Sequence, residues 1–256
     1  MTHFEKNDAT CTEKGNEEYW ICSNDDSIYY KDENGTEKYA DDTDIIIPAT
    51  GHKDDDGDYL CDICGDIMES AVTVSAQMAK GAAIRLSPAN GLRFITVFDS
   101  AKIAELQAKG ATVELGTLIA PKDLLGDDDL TFDLDESKYI NVKYEATDDS
   151  GAYSWHNGEN GTIAGSIVNI KESGTTFSAE NGNIARDYVG RGYVKVTLGG
   201  KTVITYADYA DGDIANNTRS VAYVANALKN DTAVYSALDD EIKSRVEAWA
   251  SKLTNE

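Results

Sequence analysis

His52-Lys53-Asp54-Asp55-Asp56-Gly57-Asp58-Tyr59-Leu60-Cys61-Asp62-Ile63-Cys64-Gly65 is the stretch on which the reading of this chain turns. Two cysteines separated by two residues can aim both sulfurs at one ion, and the glycine behind them permits the tight turn this requires. Eight residues separate His52 from Cys61, and the same kind of pair recurs upstream, where seven residues separate His3 from Cys11. With Cys22, the ligand types in order are His3, Cys11, Cys22, His52, Cys61 and Cys64. The parallel spacing resembles a degenerate repeat whose second copy opens at Pro48-Ala49-Thr50-Gly51-His52.

A tetrahedral zinc site takes four ligands. Two complete sites would need eight, and Asp25, three residues after Cys22, is the only plausible seventh. One full site and a weaker second are therefore expected. The competing reading is two disulfides, for which four cysteines allow three pairings and the histidines are bystanders. The spacing favours zinc, in a structural role, because no general-base pattern accompanies it. Which ligands share an ion is open at this stage.

The same stretch carries Asp54, Asp56, Asp58 and Asp62 around Gly57. Alternate acids ahead of a glycine resemble a calcium loop. However, if Gly57 takes the sixth position, the twelfth falls on Ile63, where an EF-hand needs a bidentate Glu. A calcium site of another kind and a solvated turn remain as the two readings.

Working outward, all four cysteines fall within the first 64 of 256 residues. Such confinement marks a small unit that needs cross-links or metal to fold. The net charge of −23 is concentrated there too, with 20 Asp/Glu against 5 Lys in residues 1–70. An acidic head of this kind repels phosphate backbones and anionic membranes, so neither nucleic acid nor membrane is an expected partner. No apolar run is long enough to span a bilayer. The opening residues lack a basic segment followed by an apolar core, so no signal peptide is expected within them.

The composition shifts near Met68–Ser70, giving an acidic His/Cys module at 1–68 and a larger domain at 69–256. In the module, 18–22 and 27–30 predict a hairpin. In the larger domain, strands are predicted at 71–76, 82–86, 91–98, 112–120, 139–144, 163–170, 193–198 and 202–206. Asp99-Ser100 predicts the start of a helix ending near Lys109, with Gly110 as its stop. Helices are predicted at 220–228 and 239–253, the second with a stripe of Ile242, Val246, Trp249 and Leu253 facing the sheet. The expected fold is α+β: a small zinc-ribbon-like β module, then a mostly β, sandwich-like domain with C-terminal helices.

The segment from His3 through Cys11-Thr12-Glu13, Gly15-Asn16 and Tyr19-Trp20 to Cys22, followed by Ile47–His52, resembles a zinc-ribbon-like repeat of large secreted and cell-surface proteins of gut Firmicutes. In that repeat a cysteine usually stands at the position of Asp25, so the resemblance implies a lost thiolate here. His52 to Gly65 resembles a companion segment. Ala83–Leu86, Gly91–Phe94, Gly116–Pro121 and Arg219–Val224 resemble a module at the ends of such proteins. The resemblance implies an extracellular, cell-surface location and no known activity.

No nucleophile elbow, P-loop or dinucleotide fingerprint is present, and the chain is not expected to be an enzyme. Outside the cysteine cluster, Tyr153 and Trp155 form the aromatic loop best suited to a ligand such as a sugar ring. The expected function is a non-catalytic accessory or adhesion module of a bacterial surface protein. Its partners would be other surface proteins or glycans. A carbohydrate-binding accessory domain and a self-assembling subunit of a surface layer or filament are the alternatives.

Overall fold

The structure is a computed structural model that describes residues 1–85, 91–144, 154–158, 161–169 and 182–253. The chain divides into two compact units, Met1–Ala71 and Val72–Glu256.

The first unit has little regular structure and almost no core. A three-stranded antiparallel sheet joins β1 (Thr2–Phe4), β3 (Tyr19–Cys22) and β4 (Asp25–Tyr30) in the order β1-β3-β4. A two-stranded ladder pairs β2 (Gly15–Asn16) with β5 (Ile46–Ile47). The predicted hairpin forms, with a tighter turn than expected, since Cys22 already pairs with Asp25. Flat aromatic contacts take the place of a buried interior: Phe4 stacks on Tyr19 at 4.7 Å between ring centroids, and Tyr29 meets Tyr19 edge-on. Among the described residues of this unit, the buried apolar side chains are Cys11, Ile45, Cys61 and Ile67. Two of these four are cysteines, so burial of hydrocarbon alone contributes little to holding the unit together.

A single helical turn, α1 (Glu69–Val72), carries the chain into the second unit. Residues 71–76 were expected as a strand, and the ladder instead covers only β6 (Ala76–Met78). The period-two burial is nevertheless real: Val72, Val74, Ala76 and Met78 are buried, while Thr73, Ser75 and Gln77 are exposed. What the alternation cannot tell is where a hydrogen-bonding partner begins.

Two five-stranded antiparallel sheets make up most of this unit. One joins β7 (Ala83–Arg85) and β6 to β8 (Gly91–Phe98), and β8 to β12 (Gly161–Asn169) and β11 (Ser154–Gly158). The other has the order β10-β9-β13-β14, formed by β9 (Thr112–Pro121), β10 (Ile140–Lys143), β13 (Tyr188–Leu198) and β14 (Lys201–Tyr206). In it β15 (Thr218–Arg219) also pairs with β13. Strands β9 and β13 run in register from Tyr188↔Pro121 to Thr197↔Thr112 and form the backbone of the fold. Gly199 and Gly200, both at positive φ, close the β13–β14 hairpin as the sequence predicts.

The sheets meet where β13 has no side chains. A Cβ placed on Gly190 would lie 2.3 Å from Cγ of Phe94, and one on Gly192 would lie 2.2 Å from Oγ1 of Thr96. Phe94 and Thr96 are themselves fully buried. Met78 bridges this contact, its sulfur accepting from the Gly192 amide and the Thr96 hydroxyl. On the other side of β13, Val189 and Tyr193 pack with Leu118, Ala120, Leu125, Leu130 and Tyr139.

Helix α2 (Ser100–Ala108) starts as predicted, with the Asp99 carboxylate accepting from the Lys102 amide. After a one-turn α3 (Lys122–Leu125), the remaining helices are C-terminal: α4 (Val221–Asn230), α5 (Thr232–Ser236) and α6 (Asp240–Ala250). The stripe on α6 does not lie chiefly on a sheet. Val246 and Ala250 bury against Ala225 of α4, with Leu228, Trp249 and Ile242 around them and Ile84 of β7 the one strand residue in the cluster. No helix among the described residues is long and apolar enough to cross a membrane.

Candidate metal centre

Four side chains of the first unit converge: Cys11, His52, Cys61 and Cys64, whose donor atoms all lie within 4.8 Å of one another. Each is delivered by a backbone device. At Cys61–Gly65 the chain forms a knuckle, in which the Gly65 amide donates to the Cys61 carbonyl at 2.8 Å and the Cys61 amide to the Asp66 carbonyl at 2.8 Å. Gly65 sits at φ +72°, a left-handed conformation that a side chain would strain. His52 is tied to this knuckle by its neighbour: the Asp62 amide donates to the Lys53 carbonyl at 2.8 Å. Cys11 comes from 41 positions before His52, and two backbone bonds fasten it there. The Thr50 amide donates to the Thr10 carbonyl and the Gly51 amide to the Cys11 carbonyl, each at 3.0 Å.

Two of the spacings match those expected of ligands that share one ion. Cys11 and Cys61 sulfurs are 3.7 Å apart, and the Cys64 sulfur is 3.4 Å from Nδ1 of His52. Ligands on a tetrahedral zinc, with Zn–S near 2.3 Å and Zn–N near 2.05 Å, stand about 3.8 Å apart for two sulfurs and about 3.6 Å for sulfur and nitrogen. A disulfide would need sulfurs about 2.05 Å apart, and all four cysteines are free. Cys11 and Cys61 are buried, whereas His52 and Cys64 face solvent.

The electrostatics favour an anionic sulfur at Cys61. Backbone amides of Lys53, Cys64 and Ile63, and then the His52 ring, hold the Cys61 thiol down at about 5, so it is a thiolate at neutral pH. The Cys64 thiol is pushed up to about 11: the Asp66 amide pulls the other way, and desolvation and the crowding sulfurs of Cys61 and Cys11 outweigh it. Thiolates packed this closely repel one another, and a divalent cation among them removes that cost.

Three of the sequence-predicted ligands are not in this group. His3 lies on β1 opposite Trp20, its ring stacked on the indole at 4.5 Å and its Nε2 2.8 Å from a Glu18 carboxylate oxygen. Cys22 ends β3, half-buried, in the hairpin with β4. Asp25 pairs with Cys22 through the backbone, and its side chain lies outside the described residues. Among the described residues, the single four-ligand group thus takes one cysteine from the first His/Cys half and three ligands from the second. The halves are not two copies of a site.

The acidic run organises the loop between His52 and Cys61. Asp54 accepts from the amides of Gly57 (2.7 Å), Asp58 (3.1 Å) and Tyr59 (3.0 Å), and Asp58 accepts from the Leu60 amide (2.7 Å). Asp62 accepts from the Asp55 amide at 2.7 Å and stands apart from the Asp54, Asp56 and Asp58 group. For Asp56 the Asp58 amide favours the charged form, yet desolvation and the charges of Asp58 and Asp62 leave its carboxyl above the ordinary value. These bonds are those of a self-satisfied turn, and Asp54, Asp56 and Asp58 also each bring a carboxylate oxygen within 4.8 Å of the others, a spacing that could hold a metal ion.

Tyr153 lies outside the described residues. Trp155 is described in backbone only, on β11 opposite Ala164, so the expected turn-rich loop is in part a strand. Arg186 and Arg191 pair with acids. Arg186 grips both carboxylate oxygens of Asp123, and Arg191 holds Asp129.

Fold and site together define an α+β protein whose smaller unit carries a three-cysteine, one-histidine cluster able to hold a metal ion such as zinc. No protein-family model matches the chain, and no match to it was found among the curated proteins or the solved structures.

Proposed function

We propose that this chain is a non-catalytic accessory or adhesion module of a bacterial surface protein, whose first unit is folded by one structural zinc ion on Cys11, His52, Cys61 and Cys64. The observation that carries the zinc reading is the closed ligand set at tetrahedral spacing. Four protein ligands leave no open coordination position for a substrate or an activated water, which is the signature of a structural rather than a catalytic zinc. The knuckle and the few buried apolar groups around it support a zinc-ribbon-like description of the unit. The close approach of β8 to β13 supports a sandwich-like description of the larger one. The extracellular assignment rests on the residues that resemble surface-protein repeats, above all Cys11–Cys22 and His52–Gly65.

Elemental analysis with thiol titration tests the metal half of the reading. One zinc per chain is expected, with the three clustered thiols unreactive until a chelator and denaturant are added together. Protein lacking zinc and lacking titratable thiols would mean disulfides and would overturn it.

A further inference from the structure

The second unit holds a cleft of about 650 Å³. Its lining includes Gln77 and Lys80, Arg191, Asp208, Tyr209 and Asp211. A volume of this size lies within the range of small-molecule sites.

The loop that forms one wall, 207–217, is shaped in advance. It is laced to β6 by the Met78 amide donating to the Asp208 carbonyl (2.9 Å) and the Asp208 amide to the Ala76 carbonyl (3.1 Å). Asn217, fully buried, accepts from the Ala210 amide at 2.8 Å and donates to the Ala79 carbonyl at 2.7 Å. Asp211 and Gly212 follow with left-handed backbone at φ +55° and +72°.

The polar groups are fixed as firmly. Arg191 donates Nε to the Ala207 carbonyl at 3.0 Å and Nη1 to Asp129 at 2.6 Å. Its guanidinium lies 5.1 and 5.0 Å from the ring centroids of Tyr206 and Tyr209. Gln77 donates Nε2 to the carbonyls of Asp208 (3.0 Å) and Tyr209 (3.1 Å), which uses both amide hydrogens and leaves Oε1 as an acceptor. Lys80 and Asp211 pair at 3.0 Å on the rim. The Asp208 carboxylate is exposed and has no hydrogen-bond or ion-pair partner among the described residues.

The ligand class follows from this set. Lys80 pairs with Asp211 and Arg191 with Asp129, so the charge left without a partner at the cleft is the Asp208 carboxylate, which repels anions. Acceptors at Asp208 and Gln77 beside donors at Lys80 and Arg191 suit groups that both donate and accept, which hydroxyls do. Tyr209, half-buried, supplies ring surface for C–H groups between those hydroxyls. We propose that this cleft binds a neutral saccharide. The site is independent of the zinc reading, since none of its residues belongs to the first unit.

The test is a glycan array carrying neutral and acidic oligosaccharides, probed with the labelled full-length chain before and after chelator treatment. Neutral glycans should be retained in both cases. Asp208→Ala, at an exposed side chain, should weaken the retained signal at least tenfold with the melting temperature of the second unit unchanged, and Gln77→Ala, which also releases the 207–217 loop, should weaken it as far. No retained glycan, retention of acidic glycans alone, or retention by Asp208→Ala equal to that of the parent chain would overturn the proposal. Signal lost with chelator alone would overturn it too, by tracing the binding to a metal.

Discussion

Cys61→Ser and Cys64→Ser are each expected to unfold residues 1–71 while the second unit melts within about 2 °C of the parent chain. The first unit buries too little hydrocarbon to stand without its ion, so metal binding and folding form one equilibrium. Two-dimensional amide NMR reads both halves at once: signals of the first unit should collapse to random-coil positions and those of the second should stay. Cys22→Ser is the informative partner. Cys22 lies outside the four-ligand group, so its variant should keep the first unit folded and its zinc bound. A collapse with Cys22→Ser equal to that with Cys61→Ser would mean the ligand set is different.

The second large effect belongs to β13. Gly190→Ala and Gly192→Ala each drive a methyl into a buried neighbour, Phe94 in one case and Thr96 in the other, at separations no real Cβ contact shows. Overpacking at such a point costs about 3 kcal/mol or the fold itself. For a unit of this size that corresponds to a melting temperature lower by roughly 10 °C. Gly200→Ala is the control, because a Cβ there meets nothing within 4 Å and only its φ of +78° is strained. Its cost should be about 1 kcal/mol. Thermal unfolding followed by near-ultraviolet circular dichroism distinguishes the two classes. Equal losses at Gly190, Gly192 and Gly200 would show that backbone conformation, rather than the meeting of the sheets, decides.

Local patterns in the sequence announce much of this. Gly91–Phe98 is a strand over the residues that the alternation marks, and Asp99 caps α2 as its position before Ser100 requires. The Cys-x2-Cys knuckle and His52 are legible for the same reason: their geometry is set within fourteen residues. Cys11 joins them through backbone bonds to Thr50 and Gly51, about forty positions away, and no local period encodes that pairing. The matching His/Cys spacings therefore mislead. His3 satisfies its ring with Trp20 and Glu18 on the sheet, which a count of spacings cannot foresee.

Distance along the chain also hides the cleft. Gln77 meets Asp208 across 131 positions, and Arg191 enters from the middle of β13. Arg191 pairs with Asp129. Its place between two tyrosine rings beside an open cleft emerges only when β13, β14 and the loop beyond are assembled. The helical stripe of α6 shows the same limit: its period identifies a buried face but not whether a sheet or another helix covers it.

X-ray absorption at the zinc edge of the purified chain tests the central claim most directly. The account predicts three sulfurs near 2.3 Å and one imidazole nitrogen near 2.0 Å, from Cys11, Cys61, Cys64 and His52. A first shell of two sulfurs and two nitrogens, or one dominated by oxygen, would contradict it.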